Sequence, residues 1–556
     1  MFLFDLFRSF LPLHNPIGFG AADFMEFALA AMLVMMAVLG GRVEQAARRL
    51  AGNTARSMAF LALLPIVLRL ALLARFPVPT PSGADDFSYL LLGDTLAHLR
   101  LANPAHPLHQ FFEAVFILQQ PTYSSIFPLG QGLVLALGQL LGHPWVGVLL
   151  SVGGLCAACY WMLRGWTTAG WALVGGVLAA LEFGPLSQWM NLYWGGAVSG
   201  IAGCLVCGAL PRLRRAPTTR NAALIGAGLG LQLLTRPFEF VLLGIASAVF
   251  LLPGWRRVLE ALPIIGVTLL PFVSLTLAQN KVVTGSWTTL PYALSRYQYG
   301  VPATFTFQPN PAPHVALTPE QELDYRAQSI VHGEGPDSPA NYMARLGERF
   351  HFYRFFFYPP LMVALPAFLV AMTRHRRLLW AAGAILLFAL ADNFYPYFYP
   401  HYIAALTPVF VLASVTALEF LCRWPAGRAA ARLVVFLALA HFLFWCGMLC
   451  GTQTMRLAAS RFDTADFIDY GDPEGRIGIN GQLAARAGPH LVFVRYGPQH
   501  MFHEWIHNAA DIDGSDVVWA ADLGYEENQK LIEYYPMRRV WLVEPDAKPP
   551  QIVPYP

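Results

Sequence analysis

The sequence predicts an α-helical polytopic membrane protein with about 12 transmembrane helices and a small extracytoplasmic α/β domain at its C-terminus. Three observations carry this. Of the 556 residues, 56% are hydrophobic and only 13% charged, and the mean hydropathy is +0.46, a balance that a water-soluble globule of this size does not show. Apolar runs recur, beginning near Phe24, Ser57, Trp145, Trp171, Gly195, Ala222, Phe238, Ala261, Phe355, Leu378, Ala404 and Leu433. Finally, residues 455–556 hold 15 Asp and Glu against 9 Lys and Arg, so the tail is acidic and water-soluble in a chain whose formal net charge is +3.

The divisions follow from these patterns. Residues 1–56 form an interfacial segment and a first span, with no basic stretch followed by a small-residue cleavage site in the first 20 residues and so no cleaved signal expected. Residues 57–454 form the transmembrane core, with loops at 76–144 and 278–354, and residues 455–556 the α/β domain. Arginines collect in alternate loops, at Arg48, Arg49 and Arg56, at Arg212 to Arg220, at Arg374 to Arg377 and at Arg423 to Arg432. The positive-inside rule makes those loops cytoplasmic and the remainder extracytoplasmic.

Everything that looks chemical lies on the extracytoplasmic side. Gly83-Ala84-Asp85-Asp86-Phe87-Ser88-Tyr89 places two carboxylates between a membrane-length run and an amphipathic helix. Neighbouring helix positions point about 100° apart, so one acid faces a cleft while the other caps. Asp85 suits the cap and Asp86 the free carboxylate, and the reverse assignment is nearly as good. At a half-dry surface the free acid is a general base toward a hydroxyl. The helix Ile126 to Leu141 reads as lying along the interface, because about 16 residues carrying Gln131 and Gln139 are too few and too polar to cross. At Thr235-Arg236-Pro237-Phe238-Glu239 a proline breaks an apolar helix and presents a cation. Arg236, Arg69, Lys281 and the cluster Tyr395, Tyr397, Tyr399, His401, Tyr402 suit a lipid-linked phosphate. Tyrosines at that depth also form ordinary interfacial belts, and Asp commonly does no more than start a helix.

Two metal-like patterns are decoys. Cys156-x-x-Cys159 and Cys204-x-x-Cys207 lie in apolar runs, where a tetrathiolate would bury negative charge and small-residue packing is the simpler account. His503-Glu504-Trp505-Ile506-His507 is a literal H-E-x-x-H, with Glu526 as a conceivable third zinc ligand. It follows Gly497-Pro498 and runs into a turn-like stretch, whereas a zinc site needs a firm helix to bring both imidazoles onto one face. His500, His503 and His507 therefore read as surface or docking residues. The tail is expected to hold strands at His490 to Val494, Val517 to Ala520 and Val540 to Val543, and helices near Asn480 to Arg486 and Tyr525 to Tyr534. The loop from Gln279 to Tyr353 is expected to have little regular structure.

The acidic pair opening the first outer loop, the following Phe87 to Asp94 helix, Gln120-Pro121-Thr122-Tyr123, the interfacial helix and Thr235-Arg236-Pro237 resemble the GT-C membrane glycosyltransferases, which include the protein O-mannosyltransferases and the aminoarabinose transferases of lipid A. A narrower resemblance, through the turn Ser187 to Gly196 and His401-Tyr402, is to bacterial family-39-like transferases of unsettled acceptor. It implies a GT-C fold and inverting transfer from a polyprenyl-phosphate sugar donor to an extracytoplasmic lipid, glycan or protein, in a bacterial cytoplasmic membrane. Asp85 or Asp86 would be the base, with Tyr89, Tyr123, Arg236, Lys281, Tyr399, His401 and Tyr402 binding substrate. The sequence requires no cofactor, leaves divalent metal open, implies no metal-ligand residues and no nucleic-acid partner. The Asp-Asp pair departs from the Asp-Glu of many mannosyltransferases, and the span at Phe24 is additional. The alternatives are a lipid-linked glycan transporter or polymerase/ligase, for which polar groups in mid-membrane are expected and Glu182 is one of few, and a membrane-anchored zinc metallopeptidase.

Overall fold

The computed structural model describes residue 31 and residues 41–333, 335, 337–451 and 475–556. Among these, seven helices are long and apolar enough to cross a membrane: Thr54–Ala71, Pro144–Leu163, Ala197–Arg215, Pro237–Gly254, Leu262–Thr284, Ala404–Leu421 and Gly427–Gly447. The run near Phe24 and the boundary near 454 lie outside the described residues. Four expected spans are shorter helices, for local reasons. Thr219–Thr235 is stopped by Pro237, which excludes the preceding residue from helical geometry. The apolar residues after Phe355 are divided by Pro359 and Pro360 into a 3-10 turn at Phe350–Phe356 and the helix Leu365–Arg374, and Arg376–Asp392 starts afresh after His375. Ala169–Glu182 ends at Phe183 and a turn containing Gly184 and Pro185.

The segment after the first described span holds the acidic helix Ala84–Ala97, three short antiparallel strands at Asn103–Pro104, Thr122–Ser125 and Ile117–Leu118, and the helix Leu129–Leu140. Its 12 residues rise only about 18 Å, too little to cross a bilayer. Leu133, Leu137, Leu140 and Leu141 are exposed along one stripe, the face an interfacial helix gives to lipid. Its other face meets the acidic helix closely because two glycines leave room: a Cβ on Gly93 would stand 2.8 Å from Leu135, and one on Gly132 2.4 Å from Leu92.

The loop beyond Gln279 differs from expectation. It contains the helices Pro291–Tyr299, Pro319–His332 and Pro339–Arg349. Each begins on a proline, which a pattern reading takes for loop but whose fixed φ suits the first helical position. Thr318 and Gln321 close a capping box at the second.

The C-terminal domain is a four-stranded sheet, ordered Val517–Ala521, His490–Val494, Arg539–Glu544, Gln551–Pro554, the first three parallel and the last antiparallel. Helices Arg476–Ala484 and Tyr525–Tyr534 accompany it. The fourth strand escapes a pattern reading because Pro549, Pro550 and Pro554 surround it, yet an edge strand tolerates proline. Leu491, Phe493, Val518 and Leu542 share one core with Phe111, Phe112 and Tyr123 of the first loop, so the domain is docked on the segment that carries the acidic helix.

Candidate active site

A cavity of about 380 Å³ opens where the acidic helix, the break at Arg236, the Pro291–Tyr299 and Pro319–His332 helices and the Tyr395 to Tyr402 segment converge. Each wall is held for an identifiable reason. The acidic helix is pinned at its start by the C-terminal domain: Ala84 N–H donates to Phe502 O (3.0 Å), Glu504 N–H donates to Ser82 O (3.1 Å), and Gly83 forms a bridge with His503. Gly83 is thereby the N-cap and carries no side-chain cap.

That register decides between the two acids. Asp85 falls on the second helical position and lines the cavity, half-buried, accepting no hydrogen bond from a described residue. Asp86 falls on the third, is 2% exposed, and accepts from Tyr193 N–H (3.0 Å) and, reaching back, from Ser82 N–H (3.5 Å). The preferred sequence assignment, Asp85 as cap and Asp86 as the free acid, is thus reversed, because the bridge to His503 sets the cap at Gly83, two residues earlier than Asp85. Tyr193 belongs to the turn Ser187 to Gly196, which is fixed from beneath: Arg69 Nε donates to Asn191 Oδ1 (2.8 Å) and Trp145 Nε1 to Met190 O (2.9 Å). Arg69, a candidate phosphate ligand, is fully buried in that support and also donates to Phe76 O and Pro77 O.

Arg236 caps one helix and starts the next with an extended backbone (φ −150°, ψ 96°). Its guanidinium lies 4.2 Å from the Tyr402 ring centroid and its Nη1 3.5 Å from Glu239 Oε1. Arg296 adds a second guanidinium to the lining, held by Pro302 O (3.0 Å). His401 meets Trp194 edge-on at 4.6 Å and lies against Tyr402 at 4.8 Å. Tyr89 stacks on Phe127 at 4.2 Å and 6°.

Electrostatics separates the roles. Burial, then the neighbouring Asp86 and Asp324 carboxylates, push Asp85 up to about 7, against the opposing effect of Arg236. Asp324, on the Pro319–His332 helix, is pushed up to about 6 by burial, offset by its hydrogen bond from Gln328 (2.8 Å). His401 is held well below the ordinary imidazole range by burial and then by Arg236, so it enters the cavity neutral. A carboxyl titrating near neutrality beside a fixed guanidinium can take a proton from a hydroxyl or amine while an anion is held opposite.

The cavity therefore brings together Asp85, Tyr89, Arg236, Tyr399, His401 and Tyr402. Four candidates lie elsewhere, Arg69 among them in the support beneath the Ser187 to Gly196 turn. Asp86 is spent on backbone amides. The Tyr123 hydroxyl is buried against the C-terminal domain and donates to Asn508 O (3.0 Å), since its strand faces the docking core. Lys281 is exposed and folds back on its own helix end, Nζ to Gly285 O at 2.7 Å. Conversely, Glu239, Arg296 and Asp324 line the cavity without having been singled out for a role; Arg236-x-x-Glu239 at a helix start was the only local signal for any of them.

The H-E-x-x-H segment is not helical, with a bridge at His503 and no regular structure from Glu504 to His507. Glu504 Oε1 accepts from Tyr496 OH (2.7 Å) and Ile506 N–H (2.9 Å), and Oε2 from Val115 N–H (3.4 Å). His507 packs on Phe87 at 4.7 Å. The pairing of residues 82–84 with 502–504, with His507 N–H donating back to Trp505 O (2.9 Å), keeps the backbone out of a helix, which removes the shared helical face a zinc site would need, and no group of three His, Cys, Asp or Glu among the described residues is arranged to hold a metal.

The chain is similar to the crystal structure of ArnT from Cupriavidus metallidurans in the apo state, at 13% identity and a TM-score of 0.49, covering 87% of this chain and 93% of that one. It is similar to the same protein bound to undecaprenyl phosphate at 12% identity and a TM-score of 0.49, covering 87% and 92%. It is also similar to the archaeal oligosaccharyltransferase AglB from Archaeoglobus fulgidus, in complex with an inhibitory peptide and a dolichol-phosphate, at 11% identity and a TM-score of 0.40, covering 88% and 69%. No family model matches the sequence, and no curated protein matches it. What the cavity can do follows from its own residues.

Proposed function

We propose that the protein is a membrane glycosyltransferase that moves a sugar from a polyprenyl-phosphate-linked donor to an extracytoplasmic acceptor, with inversion and with Asp85 as general base. The observation that carries this reading is the placement of a carboxyl unpartnered among the described residues, pushed up to about 7 by burial, in one cavity with Arg236. Asp85 takes the proton from the acceptor nucleophile as its lone pair forms the new bond to the anomeric carbon. The bond from that carbon to the phosphate oxygen breaks, and its electron pair leaves with the phosphate. A phosphate leaving group needs positive charge more than a proton. Arg236 supplies it, steadied by Glu239 and the face of Tyr402, while Tyr89, Tyr399 and neutral His401 offer hydrogen bonds. The GT-C resemblance of the sequence motifs supports the lipid-linked donor.

The positive-inside rule supports an extracytoplasmic position for this cavity and the C-terminal domain, and the resemblance to bacterial family-39-like transferases supports a bacterial cytoplasmic membrane. The opposite end of the bundle carries exposed Arg374, Arg376 and Arg423.

The test is release of polyprenyl phosphate from a panel of polyprenyl-phosphate sugars by the purified chain, with a membrane extract as acceptor source. The reading requires that wild type consume at least one donor and that Asp85→Asn spare it while still binding it. Failure of every donor to bind or react sinks it.

A further inference from the structure

A second cavity, of about 790 Å³, lies between the C-terminal domain and the outer loops. It is built at the carboxyl ends of two adjacent parallel strands: Val494 to Pro498 follows one and Ala521 to Leu523 the other. In open α/β sheets that crevice is where the fold leaves room for ligands, and domain interfaces are the other common place. Its far wall is the Pro319–His332 helix, which turns Glu320 and Leu323 into this cavity and Asp324 and Gln328 into the one holding Asp85. The two sites are back to back across one helix.

Three buried polar atoms on this wall have no hydrogen-bond partner among the described residues: His109 Nδ1, Gln298 Oε1 and Glu320 Oε1. Glu320 is 5% exposed. Its orphan oxygen stands 4.0 Å from His500 Nε2, and His109 Nδ1 is 3.6 Å from Glu113 Oε1, both too far for a hydrogen bond. Buried polar groups are seldom left unmet, and three on one cavity mark the places a ligand's donors and acceptors fill.

The surroundings narrow the ligand. Glu504 and Asp546 lie close to Glu320, which disfavours an anion. Arg495, the guanidinium on this wall, is committed to Asp522 (2.6 Å) and Glu544 (3.3 Å). Glu113 Oε2 is already met by Tyr299 OH (3.0 Å) and Gln321 Nε2 (3.3 Å), while its Oε1 faces the His109 ring at 3.6 Å, so this carboxyl is shared among donors of the wall itself. Burial and the adjacent acids hold the Glu320 carboxyl far above the carboxylate range, which makes it a neutral group able both to donate and to accept.

The geometry points to a second binding site here, between Glu320, Gln298, His109 and the strand ends of the C-terminal domain, for a neutral polyhydroxylated ligand, a saccharide of two or three units. A sugar presents several hydroxyls at once, each donor and acceptor, and the volume suits more than one ring. The site is independent of the transfer chemistry and stands without it.

The test uses the purified full chain in nanodiscs, titrated with maltotriose, mannotriose and chitotriose, and with spermidine and citrate as charged probes. Hydrogen exchange in the wild-type chain should show protection of segments 109–113 and 319–323 by at least one neutral trisaccharide and by neither charged probe. Affinity for that sugar should fall about tenfold in Glu320→Ala and in Gln298→Ala, recover in Glu320→Gln, and stay unchanged in Asp85→Asn. The proposal is overturned if no neutral sugar protects these segments, if spermidine or citrate does so instead, or if a folded Glu320→Ala binds as well as wild type.

Discussion

Two short segments of this chain carry acids and donors in patterns that suggest chemistry, and they meet end to end. Asp85 and Asp86 begin the acidic helix; His503 to His507 forms the loop that pins its start. In the first segment one carboxyl is left without a partner among the described residues and opens on a cavity with two guanidiniums. In the second, every oxygen of Glu504 is engaged and His507 is buried on Phe87. What separates the Asp85 carboxyl from that of Glu504 is how much of its hydrogen-bonding capacity the fold has already used, and the His507 ring, with Nδ1 unmet among the described residues, is set apart by its packing. The decoy has a role of its own, because its pairing with residues 82–84 sets the cap at Gly83 and hence which acid faces the cavity.

The comparison breaks most readily at Asp85. Asp85→Asn is expected to lower the rate of polyprenyl phosphate release by about 10³-fold, the range of a lost general base, with donor affinity kept. Equal loss of affinity and rate would show that the carboxyl binds rather than acts. Arg236→Ala is expected to weaken donor binding about 30-fold, as loss of a charge-assisted contact to phosphate does. Titration of a fluorescent polyprenyl phosphate reads this directly, and unchanged affinity would move the phosphate to Arg296.

The pH dependence of stability sharpens the contrast, since the two segments have opposite signs. Asp85 is raised to about 7, so the folded state favours its protonated form. Its contribution is full below the ordinary carboxyl range and is lost as pH rises through about 7. His507 is depressed to about 3 by burial and then by Arg476. Its contribution is present above about 6.5 and is lost as pH falls toward 3. Thermal unfolding should show Asp85→Asn gaining on wild type at pH 8 but not at pH 4, by on the order of 2 kcal/mol given its partial exposure. His507→Phe should gain at pH 5 and hold within about 1 kcal/mol of wild type at pH 8. Parallel pH curves for the two variants would contradict the assignment. The smallest effect is expected from Lys281→Ala, within about 0.5 kcal/mol in stability and without change in donor affinity, because its ammonium only closes its own helix end.

The helical membrane class was legible because apolar runs of span length need no tertiary information. The break at Arg236 was legible because Pro237 has one steric consequence wherever it occurs. The choice between Asp85 and Asp86 was not, since the cap is set by a residue more than 400 positions away that pairs with Gly83. Asp324 and Arg296 were hidden for another reason: they sit on helices that begin on Pro319 and Pro291 inside a stretch whose proline content reads as loop. Tyr123 failed as a site candidate because alternate residues of a strand take opposite faces, and only the docked domain reveals which face is core.

The most direct measurement is the pH–rate profile of polyprenyl phosphate release for wild type, Asp85→Asn and Asp86→Asn in the same membrane mimic, with folding checked by thermal unfolding. The account predicts a wild-type rate that rises with pH and levels off above about 7. It further predicts that this limb disappears with the activity in Asp85→Asn, and that folded Asp86→Asn, though less stable, keeps a limb at a reduced rate, moved to lower pH because the Asp86 carboxylate no longer raises Asp85. An active Asp85→Asn with an unchanged limb, or a folded Asp86→Asn with neither activity nor limb, would contradict it.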